Sequence, residues 1–214
     1  LPEGGRAFDD GMLAPQVHEG EYSGSERDKA AALAGSLARP GFWGWKEPRT
    51  CLFLDLWKTI LPRAGAVIVY RHPLEVHQSL LRREHWDLAL FPDQALQAYA
   101  VYNQCLLQAA FPRRYLFNAN AGFDRLSGLA GQLAATFGLE APTDLPTFHA
   151  DEFNMMTVSR ALHRAFSLVA PGAAEAFDQL QEAADLPYAW SDRPDDDRWT
   201  ALAQALETVV ADWP

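Results

Sequence analysis

The chain is poor in cysteine and in positive charge, and it contains no long apolar run. Two cysteines among 214 residues, Cys51 and Cys105, are too few for a disulfide framework and lack metal-ligand spacing. Both sit in apolar stretches, where cysteine serves as a small buried hydrophobe in a reducing compartment. Lys and Arg total 18 against 28 Asp and Glu, giving a net charge of −10. Such a balance gives no general attraction for nucleic acid or an anionic membrane surface. A polyanionic ligand therefore needs a local cationic pocket. No apolar run approaches the roughly eighteen residues of a membrane-spanning helix. No charged-then-apolar leader opens the numbered sequence, so the expected location is cytoplasmic. Repeats, low-complexity tracts and a convincing linker are also missing, which favours one domain over 1–214.

What is present is enough for a sizeable core. Apolar residues make up 49% and aromatic residues 12%, with seven tryptophans, as in folded globular chains. Ser25-Glu-Arg-Asp28 reads as a capping box before an alanine-rich helix over 29–38, ended by Arg39-Pro-Gly41. Phe42–Lys46 is an aromatic strand candidate, and Thr50 caps a helix to about Leu61. Ala66–Tyr70 is a continuous β-branched run, as in a parallel strand buried on both faces. Pro73 suits the first turn of a helix to about Glu84. A long helix follows Pro92 to about Ala110, and Arg114–Asn118 is a weaker strand. Thereafter helices are expected over 123–137, 152–169, 172–185 and 195–213. In the last of these, Trp199, Leu202, Leu206, Val209 and Trp213 form an apolar stripe, turned to the core or to a second copy in a homo-oligomer. Strands alternating with helices predict a parallel α/β sheet flanked by helices, with a mainly helical C-terminal half.

The residues with chemical potential cluster between positions 42 and 84. In a parallel sheet, ligands bind beyond the carboxyl ends of the strands. Arg71 stands there, directly after Tyr70, and its planar guanidinium suits a phosphate. The free amides and dipole of the following helix favour an anion at the same place. Ser79 lies two turns into that helix. A second cluster, Trp43-Gly-Trp-Lys-Glu-Pro-Arg49, brings Lys46 to a turn fixed by Pro48, where it can stabilise charge on a transferring oxygen.

These two segments, Trp43–Arg49 and Arg71-His-Pro-Leu-Glu-Val-His-Gln-Ser79, resemble sulfotransferases that use 3'-phosphoadenosine-5'-phosphosulfate, in particular their bacterial branch. The likeness covers about 42–110, including Tyr99, Tyr102 and Asn103. It implies a P-loop-like core in which Arg71 and Ser79 hold the donor's 3'-phosphate. It further implies that Lys46, with Arg49 and Glu47, approaches the sulfuryl group. The co-substrate would be the phosphosulfate nucleotide, the acceptor a small molecule or glycan hydroxyl or amine, and no metal is required. Glu47, His18, Asp9 and Asp10 are candidates for the base.

The sequence departs from that family in two places. No strand–loop–helix for the 5'-phosphosulfate precedes Trp43, so that loop is expected upstream of Leu1 or not at all. Ser23-Gly24-Ser25 is the nearest substitute and reads as an ordinary N-cap. The third strand ends Phe117-Asn118-Ala-Asn120 where relatives carry an acidic pair. A non-catalytic nucleotide-binding or scaffold domain is the competing reading. A kinase lacks its Gly-Lys-Ser/Thr segment, and no Ser–His–Asp, HExxH or CxxC arrangement is present. His149 beside Asp151 and Glu152 reads as a loop-surface residue; His163 and Arg164 could face the nucleotide but read better as a solvated helix face; His77 and His85 lie near the Arg71 helix with no visible pairing that would make either a base; and Met155-Met156 reads as core filling.

Overall fold

Two short parallel strands organise a mostly helical chain. A computed structural model describes residues 22–82, 92–123, 126–144, 157–190 and 196–211. In chain order these give α1 (Gly24–Leu37), a 3-10 turn (Pro48–Phe53), α2 (Leu54–Ile60), β1 (Ala66–Tyr70) and α3 (Pro73–Arg82). There follow α4 (Pro92–Gln108), β2 (Arg114–Asn118), α5 (Ala119–Phe123) and α6 (Leu126–Phe137). The last three are α7 (Arg160–Val169), α8 (Pro171–Ala183) and α9 (Asp196–Ala211). The fold is thus α/β, with a helical C-terminal half as the sequence implies.

β1 and β2 pair in parallel, with Ala66 opposite Arg114 and Tyr70 opposite Asn118. Beyond β2 the chain returns once more, and Leu186 forms a parallel bridge to Phe117. Asp185 fixes that return by accepting the Leu116 N–H on its carboxylate at 2.8 Å. The two faces of the sheet feed two cores. Ile68, Tyr70 and Leu116 join Tyr99, Phe166, Phe177, Leu180 and Tyr188, while Tyr115 and Phe117 pack on Leu129 and Phe137 of α6. β1 is not buried on both faces as its run of apolar residues suggests. Val67 and Val69 are each 51% exposed, because α6 covers that face only over β2. Among the described residues β1 has one strand neighbour.

Several local expectations need correction. The capping box is real, but it is Ser23 with Glu26, two residues ahead of the expected pair. Glu26 returns a bond to the Ser23 amide at 2.8 Å, so Ser23 is an N-cap and no strand leads into it among the described residues. Phe42–Lys46 is not a strand. Its tryptophans are held instead by side-chain packing, with Trp45 at 5.1 Å from Trp57 and donating to Thr50 Oγ1 at 3.2 Å. That bond occupies the Thr50 hydroxyl, and the helix expected from Thr50 begins only at Leu54, after the 3-10 turn. Residues 157–159 precede α7 rather than belonging to it, since Ser159 caps Leu162 N–H at 3.2 Å. Of the α9 stripe, Trp199 and Leu206 are half-buried and Leu202 is 42% exposed, Ala203 beside it is fully buried, and the side chain of Val209 and all of Trp213 lie outside the described residues.

Glycine matters at two positions. An added Cβ at Gly65, just before β1, would lie 2.4 Å from Phe137 Cε1 and 3.0 Å from the Arg113 carbonyl oxygen. Gly138 ends α6 at φ +67°, the left-handed geometry of a helix C-cap.

Candidate functional site

The carboxyl end of β1 carries a compact polar cluster. Tyr70 ends the strand, Arg71 and His72 form the turn, and Pro73 starts α3. Tyr99 of α4 donates its hydroxyl to the Arg71 carbonyl at 2.8 Å, tying the turn to the long helix. Asn103, one helical turn further on, donates to the Tyr99 carbonyl at 2.8 Å. Burial pushes the Tyr99 phenol well above its usual value, so this donor keeps its proton.

Glu75 is the centre of the cluster. It is 1% exposed and accepts from the His72 amide at 3.1 Å and from Asn120 Nδ2 at 2.6 Å. Asn118, at the end of β2, turns Asn120 toward it by accepting the Asn120 amide at 2.9 Å. Asn118 and Asn120 therefore support a buried carboxylate, which an acidic residue at either place would repel. Arg71 Nε lies 3.9 Å from Glu75 Oε2, an ion pair at its outer limit and too long for a hydrogen bond. Burial raises the Glu75 carboxyl above its ordinary value, with Asn120, Arg71 and the His72 amide opposing that rise.

His72 acts as the N-cap of α3. Its Nδ1 accepts the Leu74 amide at 3.2 Å, and its carbonyl accepts Glu75 N–H at 2.9 Å and Val76 N–H at 3.1 Å. Pro73 has no N–H to offer. The expectation of free first-turn amides for an anion is thus overturned: His72 and Pro73 have used them locally, and Glu75 supplies the negative charge that this helix end favours. What remains for an anion is the Arg71 side chain, 30% exposed, whose Nε has no hydrogen-bond acceptor among the described residues.

Ser79 is half-buried on α3. At about 100° per residue it falls one turn beyond Glu75 on nearly the same face. Arg71 precedes the helix and Glu75 and Ser79 follow on it; sequence reasoning had picked Arg71 and Ser79 and passed over Glu75. Lys46 and Glu47 are exposed in the loop before the 3-10 turn. The structure shows no hydrogen bond or ion pair from Lys46 to Arg71 or Ser79 among the described residues. Phe42 stacks edge-on against Phe137 at 6.3 Å, and Phe137 borders Gly65 at the amino end of β1. The side chain of Arg49 lies outside the described residues, as do His18, Asp9, Asp10, His85, His149, Asp151, Glu152, Met155 and Met156.

Sequence reasoning missed His163. It is not on a solvated face: Phe166, Phe177 and Trp190 surround it, and its Nδ1 lies 3.0 Å from His72 Nε2. Its neighbour Arg164 does face solvent, paired to Glu207 at 2.7 Å. The available signal was the apolar period of α7, in which His163 precedes Phe166 by one turn. His77 is half-buried, and its Nδ1 has no hydrogen-bond partner among the described residues. Cys51 is buried and Cys105 half-buried, both as free thiols. Among the described residues no group of His, Cys, Asp and Glu is arranged to hold a metal, and no helix is long and apolar enough to cross a membrane. Comparison with family models, curated proteins and solved structures finds no match to this chain.

Proposed function

We propose that this chain is a sulfotransferase with a P-loop-like core, which moves a sulfuryl group from 3'-phosphoadenosine-5'-phosphosulfate to a hydroxyl or amine of a small molecule or glycan. The observation that carries the reading is Arg71. It sits at the carboxyl end of a parallel strand, its carbonyl is fixed by Tyr99, and its Nε lacks an acceptor among the described residues. This is the position and chemistry at which a parallel α/β core takes a phosphate. Arg71 and Ser79 would hold the 3'-phosphate. Glu75 sets how freely Arg71 can do so, because a protonated Glu75 leaves the guanidinium unpaired. Lys46 would stabilise charge on the oxygen between phosphate and sulfuryl group, with Arg49 beside it. Glu47 is the nearest carboxylate in sequence to take the acceptor's proton. The chemistry asks for positioning and charge stabilisation and does not need a metal.

A second reading, a nucleotide-binding or scaffold domain without catalysis, is favoured by one observation. Ser23 is the N-cap of α1, so the one serine-glycine segment ahead of Trp43 is committed to a helix end. Titration with 3'-phosphoadenosine-5'-phosphate, read by melting temperature, tests both. A rise in the wild type that disappears in Arg71→Ala supports a nucleotide site at Arg71. No rise would sink the enzyme and any nucleotide site at Arg71, and would leave the scaffold domain as the reading. Sulfuryl transfer that falls in Lys46→Ala while the thermal shift persists selects the enzyme over the binding domain.

A further inference from the structure

Four groups form one hydrogen-bonded line through the joint between the sheet and the helical half. The Leu74 amide meets His72 Nδ1 at 3.2 Å, His72 Nε2 meets His163 Nδ1 at 3.0 Å, and His163 Nε2 meets Asp178 Oδ1 at 3.0 Å. Only one arrangement of protons satisfies the line. A backbone N–H can only donate, so His72 Nδ1 is bare and the ring proton is on Nε2. His163 Nδ1 must accept that proton's bond, which leaves the His163 proton on Nε2, pointing to the Asp178 carboxylate. Each ring carries one proton and has no place for another. A second proton on His163 would set two donors against each other across 3.0 Å. A second proton on His72 would do so against the Leu74 amide, which cannot turn round.

Neither ring has room to swing away. His72 has no exposed surface and lies 4.6 Å from the Phe177 ring and 5.5 Å from Phe166. His163 is 5.2 Å from Trp190, over whose ring the Arg160 guanidinium is stacked, also at 5.2 Å. Among the described residues the charged groups around the pair are these. From α8 there is Asp178; from the start of α3, Glu75 and Arg71; from α7, Arg160 and Arg164, the latter paired with Glu207 of α9. Of these, Asp178 alone bonds an imidazole. It is 59% exposed while the His163 side chain is 12% exposed, so protons reach the line from that end.

We propose that His163 is a positioning residue, which locks the Arg71–Pro73 turn to the helical half through this one-way line, and that proton uptake by the line releases the turn. The inference stands on the two histidines and Asp178 and does not require a ligand at Arg71. Its pH sense follows from burial. Desolvation pushes His72 down to about 3, with His163 adding to the effect, and lowers His163 too, although Asp178 works the other way. An unfolded histidine takes a proton near about 6.5. Below that value the unfolded chain binds more protons than the folded one. Stability contributed by the line is therefore complete above about pH 6.5 and is lost progressively as pH falls toward the folded values. Each ring makes the unfolding constant rise by up to about tenfold per pH unit in that window. Glu75 acts in the opposite sense. Its raised carboxyl favours the folded state when protonated, and that contribution is lost as pH rises through its folded value, so the comparison must be made against a variant.

Histidine-selective nitrogen NMR on the full chain tests the proton arrangement directly. Both rings are expected neutral with the proton on Nε2 near neutral pH, and His72 is expected still neutral at about pH 5. A His72 proton on Nδ1, or a His72 midpoint near the unfolded value, would overturn the proposal. The second arm is His163→Asn, which retains an acceptor toward His72 but takes up no proton. Urea unfolding from about pH 7.5 to about pH 5 is expected to show a steeper acid loss in the wild type than in the variant, by up to about tenfold in the unfolding constant per pH unit. Parallel slopes would overturn the titrating role of His163. If the variant does not fold, the tautomer measurement on the wild type decides the question alone.

Discussion

Gly65→Ala should destabilise this protein although alanine is an ordinary residue for a chain entering a strand. The reason is space. The added Cβ would sit 2.4 Å from Phe137 Cε1, 3.1 Å from Cδ1 and 3.0 Å from the Arg113 carbonyl oxygen. A carbon–carbon contact wants about 3.5–4.0 Å, so the ring must retreat by more than about 1 Å. It has little freedom to do so, since Phe137 is 8% exposed and packed with Tyr115, Phe117 and Leu129. The Arg113 carbonyl cannot yield either, because it accepts the Ala66 amide at 3.0 Å and sets the strand register. Overpacking of this kind costs about 1–3 kcal/mol. In a domain of this size each kcal/mol corresponds to about 2–4 °C, so thermal unfolding should shift down by roughly 2–12 °C. The control is Phe137→Leu, which removes the colliding ring edge. In that background the alanine should cost at least about 0.5 kcal/mol less than in the wild type, a coupling typical of touching residues. An alanine variant melting with the wild type, or a penalty unchanged by Phe137→Leu, would refute the close approach of α6 to the base of β1.

Other outcomes follow from single contacts. Phe177 is fully buried and central to the main core, so Phe177→Ala should cost about 3–5 kcal/mol in urea unfolding; a loss under about 1 kcal/mol would contradict its packing. Tyr99→Phe removes the bond to the Arg71 carbonyl and should cost about 1 kcal/mol, with a larger proportional loss of 3'-phosphoadenosine-5'-phosphate binding than of stability. Equal binding by both forms would show that Tyr99 does not position Arg71. Burial, with Cys105 adding to it, pushes the Cys51 thiol up to about 12. Native Cys51 should therefore resist iodoacetamide at mildly alkaline pH while Cys105 reacts first, as peptide mass spectrometry would read, and the reverse order would be evidence against the burial of the 3-10 turn.

Local pattern carried much of the backbone. Ala66–Tyr70 and Arg114–Asn118 form strands at the expected residues because branched and aromatic side chains favour extended chain whatever they later touch. Pro73, Pro92 and Pro171 each open a helix, since a fixed φ and a missing amide fit the first turn. The Phe42–Lys46 segment failed because its tryptophans found partners along their own loop and 3-10 turn, a packing choice that no alternation rule records. The capping box moved by two residues because Ser-x-x-acid occurs in two overlapping frames, and the frame with glutamate formed.

The candidate site was half legible. Arg71 and Ser79 were visible from their spacing and from the strand before them. Glu75, the buried carboxylate between them, was not singled out, since burial of a charge depends on partners that Asn118 and Asn120 bring from β2. Lys46 is a candidate from its sequence segment and not from a contact.

The sequence by itself determined the strands, the helix starts and the place of Arg71 at a strand end, because these follow from backbone propensity and spacing within a few residues. Tertiary structure alone decided that the amides of α3 are already used, that Glu75 is buried beside Arg71, and that His72 meets His163. The two histidines are 91 residues apart in the chain. Their pairing depends on how α7 and α8 close over the end of β1, a matter of shape and desolvation between distant segments.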